Sequence, residues 1–178
     1  MDRQLQFRVK EAFMESRAKF LGHSIHQQLI AFPLGLLGMA VIFDLISLWT
    51  KNMHWTEVAF YMIGAGIVTG LLAALFGAID WFAIPNNTRA KRVGTVHGVG
   101  NVVVVLLFAV SFYVRWQNPI AVSDLAYVCS FLGFVLALFT GWLGGELVDR
   151  LGVGVDEGAN LDAPSSLSTQ STRHRPAA

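Results

Sequence analysis

Two histidines three residues apart, His23 and His26, stand in the stretch GHSIHQQLIAFP immediately before a long apolar run, and His97 opens another such run in VGTVHGVGN. Imidazole binds metals and titrates near neutrality, so its placement at the threshold of a hydrophobic segment asks for a chemical reason. Asn101 lies one turn beyond His97 on the same helical face. Two carboxylates, Asp80 and Glu146, close other apolar runs. An ionisable group at the centre of a membrane span costs roughly 2.5–3.5 kcal/mol on insertion scales, which makes these residues the candidates for function.

Three chemistries fit those residue types. In the first, His26 and His97 are axial ligands of a b-type haem held between facing helices, with Asn101 beside them and Asp80 or Glu146 orienting the second ring nitrogen. A variant places a divalent metal, Zn or Fe, among His23, His26, His97 and Glu146. In the second, the cluster passes a cation or proton, which needs a polar path from Asn101 toward Asp44. The stretch VVVVLLFAV in between is dry. In the third, the cluster staples helices together while a basic arm holds anionic lipid or anchors a partner. Plainer roles exist as well. His23 can snorkel at the interface, Asp80 and Glu146 can pair with Arg92 or Arg150, Asp44 can partner the outer ends of spans, and His174 lies in the tail. Nucleophile-elbow, phosphate-loop and HExxH patterns are absent, so enzymatic chemistry is not expected.

These side chains need helices to position them. Of 178 residues, 54% are hydrophobic and 14% charged, with a mean hydropathy of +0.53, too apolar for a soluble domain. Runs long enough to cross a hydrocarbon core of roughly 30 Å occur at residues 29–49, 58–84, 96–114 and 125–148. Backbone groups in lipid must be satisfied within the segment, so each run is expected to be helical. Short polar breaks predict an all-α, integral membrane four-helix bundle with up-down-up-down order. The lone cysteine, Cys129, excludes a disulfide framework, and a net charge of +1 argues against nucleic acid as a partner.

Lys and Arg cluster in the leading arm, the second loop and the tail, which accounts for 11 of the 13. The positive-inside rule then places both termini in the cytoplasm and the multi-pass chain in the inner (cytoplasmic) membrane. His26, Asp80, His97 and Glu146 fall at one inner level, Asp44 and His54 at the outer one. Residues 1–28 read as a cytoplasmic arm without a cleaved signal. Within it, Leu5, Val9, Ala12, Phe13 and Phe20 form one stripe of an amphipathic interfacial helix over residues 3–21. Residues 29–148 are the transmembrane domain and 149–178 a flexible cytoplasmic tail. Each odd span opens on a histidine and each even span closes on a carboxylate, a faint sign of a duplicated hairpin.

The blocks ESRAKFLGHSIHQQLIAFPLGLLGMAVIFDL, GLLAALFGAIDW with AIPNNTRAKRVGTVHGVGN, and GWLGGELVDRLGVGVDEGANLDAPSSL resemble a prokaryotic family of small four-span membrane proteins catalogued as domain of unknown function 2231. The resemblance runs from about Glu15 to Leu167. Members often carry a proline after each histidine of the first block, where this chain has Ser24 and Gln27. Related domains are sometimes fused to Rieske-type iron–sulfur modules. That implies an electron-transfer setting and a cytoplasmic or membrane redox partner for the haem reading, besides the lipid bilayer itself.

Overall fold

The computed structural model describes residues 13–168. A two-stranded antiparallel hairpin, β1 (Lys19–Phe20) and β2 (His23–Ser24), leads into a short helix α1 (Ile25–Leu29). Four long helices follow: α2 (Ala31–Thr50), α3 (His54–Ala83), α4 (Arg89–Arg115) and α5 (Asp124–Gly145). A π-helical turn, Glu146–Arg150, extends α5. Counting α1 with α2 and the π turn with α5, the four helices are long and apolar enough to cross a membrane. The all-α four-helix membrane architecture is therefore shown.

Helix limits follow local chemistry. Pro33 has no N–H to give to the carbonyl of Leu29, and the first span is interrupted at Ile30, between α1 and α2. The helices also outrun the apolar segments. Asn52 Oδ1 accepts the His54 N–H at the start of α3, and Thr88 Oγ1 accepts the Lys91 N–H at the start of α4, so both begin outside the hydrocarbon-length runs.

The helices pack as two tight antiparallel pairs, α2 with α3 and α4 with α5, joined mainly through α3 and α4. Leu37, Ala40, Val41, Ala59, Ile63, Val104 and Phe108 form the core. Leu45, Leu75, Leu106 and Leu132 are more than half exposed and coat the outside, a pattern that suits lipid as solvent. Trp49, Trp116 and Trp142 are also exposed near helix ends, where indole favours the membrane interface.

The ends of the chain depart from expectation. The amphipathic helix expected over 3–21 lies outside the described residues up to residue 12, and its remainder is not helical. Met14 bridges to Val153, and Leu21 (φ +49) with Gly22 (φ +83) makes the tight turn between β1 and β2. Two consecutive positive φ values are the geometry of a type I′ hairpin turn. A Cβ on Gly22 would also meet Ser166 at 2.6 Å. The segment 151–168, expected to be a flexible tail, is docked on the arm. Met14 N–H donates to Gly152 O at 2.9 Å, Glu157 N–H donates to Glu15 Oε1 at 3.1 Å, and Ser166 Oγ donates to Leu21 O at 3.0 Å. Composition alone misread it because its partners are far away in sequence.

Candidate functional site

His26 reaches from α1 to α3, and its Nδ1 lies 2.8 Å from the carbonyl of Ala73. His97 reaches from α4 to α5, and its Nδ1 lies 2.8 Å from the carbonyl of Thr140. A carbonyl only accepts, so each Nδ1 carries the proton and, in the neutral ring, Nε2 keeps a lone pair. Each ring lies in a notch left by a glycine one turn beyond its carbonyl. A Cβ on Gly77 would meet His26 Cε1 at 2.8 Å, and one on Gly144 would meet His97 Cε1 at 3.2 Å. The two half-buried rings face each other with centroids 6.4 Å apart and planes at 89°.

Asn101 completes one side of the pair. Its Nδ2 donates to His97 Nε2 at 3.1 Å and to His97 O at 3.0 Å, while its Oδ1 accepts from Thr140 Oγ1 at 3.0 Å. The expected cofactor trio His26, His97 and Asn101 is thus brought together.

The carboxylates do other work. Asp80 was expected to orient an imidazole, yet its carboxylate accepts from Ser16 Oγ at 2.8 Å, from the Arg17 amide at 2.7 Å and from the Ala18 amide at 3.4 Å. Glu146 pairs with Arg89. Main-chain carbonyls take the orienting role instead, and nothing in side-chain spacing announces them.

The four-ligand metal site is not assembled. His23 sits on the exposed hairpin with Nδ1 3.1 Å from Leu21 O, beside a shallow open cleft of about 290 Å³. Glu146 is held by Arg89, and among the described residues no three His, Cys, Asp or Glu side chains converge to hold a metal ion. Of the proposed ligands, only His26 and His97 meet.

A second buried polar group occupies the other end of the bundle. Arg115 Nη1 and Nη2 donate to the two oxygens of Asp44 at 2.8 and 2.7 Å, and both side chains have 0% exposure. Arg115 Nε donates to Ser111 Oγ at 3.1 Å, and the guanidinium lies 5.2 Å from the Tyr127 ring centroid. Residue type and depth put Asp44 among the outer ends of the spans but missed this pair. Between the two polar groups lie the apolar core side chains, and among the described residues no polar path joins Asn101 to Asp44.

The family model described as "Predicted membrane protein (DUF2231)" matches residues 22–157 of the chain. Neither a curated protein nor a solved structure matches it.

Proposed function

We propose that this protein, which belongs to the DUF2231 family of predicted membrane proteins, holds a redox-active metal group between His26 and His97 and serves as an electron-transfer subunit. Haem b is the group that two imidazoles from facing helices take. The observation that carries the reading is the paired anchoring of Nδ1 on the carbonyls of Ala73 and Thr140 with ring centroids 6.4 Å apart. With each Nδ1–H given to a carbonyl, the Nε2 lone pairs of His26 and His97 are the atoms that would hold such a group. Hydrogen bonds to the second ring nitrogen raise ligand basicity and fix ring orientation. Bound iron would supply one-electron exchange with a partner. This chain's own residues orient the imidazoles, and Asn101 must release His97 Nε2 before that nitrogen can ligate. We place the site in the leaflet next to the cytoplasm, and both termini in the cytoplasm, on the strength of the basic residues gathered at that end.

The test is the absorption spectrum of the full-length protein purified in detergent from haem-replete cells. The expected result is a Soret band that shifts and sharpens on reduction, lost in both His26→Ala and His97→Ala. A colourless protein without bound metal, or haem retained in both variants, overturns the reading.

One contact favours a second reading. Asn101 already caps His97 Nε2, so the pair can act as a polar clasp between the two helix pairs. A clasp predicts a lower melting temperature in both histidine variants with no spectral change.

A further inference from the structure

The two helix pairs correspond residue by residue. His97 follows His26 by 71 residues, Phe108 follows Leu37 by 71, and Arg115 follows Asp44 by 71. On the returning helices, Gly133, Thr140 and Gly144 each follow Gly66, Ala73 and Gly77 by 67. Contacts repeat with the spacing. His26 bonds Ala73 O over Gly77 as His97 bonds Thr140 O over Gly144. A Cβ on Gly66 would strike Leu37 at 2.5 Å, and one on Gly133 would strike Phe108 at 2.9 Å. Burial repeats too: Ala59 and Ala126 are both 0% exposed, Phe60 and Tyr127 both 8%. The faint duplicated hairpin of the sequence is thus a structural repeat, obscured because equivalent positions on the outgoing and returning helices, such as Asp44 and Ala59 against Arg115 and Ala126, lie four residues further apart in the first copy.

A residue that touches its own equivalent lies on the axis relating the two copies. Among the described residues, His26 with His97 and Asp44 with Arg115 are polar pairs of this kind, 18 residues apart in each copy, a helical rise of about 27 Å. At the first level the equivalents are identical. At the second they are opposite in charge and fully buried.

That asymmetry decides which hairpin can pair with which. First-with-first would bury aspartate against aspartate, and second-with-second arginine against arginine. We propose that Asp44–Arg115 is a pairing key that makes two copies of one hairpin associate first-with-second, and so sets His26 opposite His97. The surroundings agree. Arg115 donates to Ser111, whose hydroxyl shares a hydrogen bond with Ser130, and the guanidinium lies near Tyr127. In the first copy the equivalent positions hold Ala40, Ile63 and Phe60, all apolar and buried. Polar support has been built around the arginine alone, so the key has a direction. The inference rests on packing and holds whether or not a metal group binds.

The test uses the full-length protein in detergent, read by melting temperature and molecular mass. Asp44→Arg and Arg115→Asp alone each bury like charges and lower the melting temperature by about 10 °C or more. The double exchange regains at least half of that loss, and adding Ala40→Ser with Ile63→Ser, which support an arginine at position 44, regains more. Asp44→Leu with Arg115→Met removes the key without burying a lone charge. That chain stays folded but adds species of higher mass, because hairpins of separate chains now pair alike. A double exchange no more stable than the worse single variant overturns the proposal. So does an apolar pair whose mass equals that of the unsubstituted protein.

Discussion

At His26 and His97 the decisive detail is a notch, since each ring reaches its carbonyl only because the neighbouring helix offers a glycine. Gly77→Ala puts a methyl 2.8 Å from His26 Cε1 and 2.9 Å from Nδ1, too close for the ring to stay on Ala73 O. The expected cost is about 1–3 kcal/mol, seen as a lower melting temperature in detergent. Gly144→Ala, whose methyl would sit at 3.2 Å, costs less. Equal effects at the two positions would show that the rings do not depend on these notches. The histidines themselves were legible, because orienting the spans put His26 and His97 at one depth. Their anchors were not, since Ala73 and Thr140 contribute main-chain atoms that every residue possesses. Asp80 was a reasonable orienter by depth, but the amides of Arg17 and Ala18 that claim its carboxylate leave no trace in residue type.

Among the elements, the arm and the segment after α5 were the least legible, because much of what orders them is contact between residues far apart in the sequence. Lys19 joins Glu15 at 2.6 Å and Asp156 at 3.3 Å. Burial works against the Lys19 ammonium, yet Glu15 and Asp156 outweigh it and hold its pKa above the ordinary 10.5. The Gly158 amide, followed by Lys19, holds the Asp156 carboxyl below its ordinary 3.8. A depressed acid stabilises above its unfolded pKa and loses that contribution as pH falls through the folded value. A raised lysine stabilises below 10.5 and loses its contribution as pH rises through the folded value. The clasp is therefore whole between 3.8 and 10.5 and loosens on either side. Amide exchange at Met14, whose N–H donates to Gly152 O, and at Gly154, whose N–H donates to Met14 O, checks this after correction for intrinsic rates. Protection unchanged well below pH 3.8 would remove Asp156 from the account. Asp80 fastens the same arm to α3 through Ser16 and Arg17. Asp80→Ala strands those donors at about 1–3 kcal/mol, so tryptic cleavage at Arg17 is expected to quicken roughly tenfold if it follows the opened population. An unchanged cleavage rate would mean that the arm is held elsewhere.

Over the whole molecule, run length made the four spans legible and the basic residues marked one end, because the bilayer imposes both rules on any chain that crosses it. The pairing of the spans was less visible, since the repeat shows only when the offsets of 71 and 67 are taken separately along outgoing and returning helices. The resulting bundle has a polar group at each end and a waist filled by Leu37, Val41, Ile63, Val104 and Phe108. A cation or proton crossing it would have to leave the Asn101 level and reach Asp44 through side chains without a donor or acceptor. Buried charge without partners is far too costly for that passage. At the far end both oxygens of Asp44 are already taken by Arg115 Nη1 and Nη2. Vesicles reconstituted with the protein and loaded with a pH-sensitive dye are therefore expected to show, under an imposed potential, the same proton flux as protein-free vesicles. Replacing Val104 by Asp would place an acceptor in the waist and is expected to destabilise the bundle before it opens a path. A flux above the protein-free level that His97→Ala abolishes would move the histidine pair from holding a group to passing an ion.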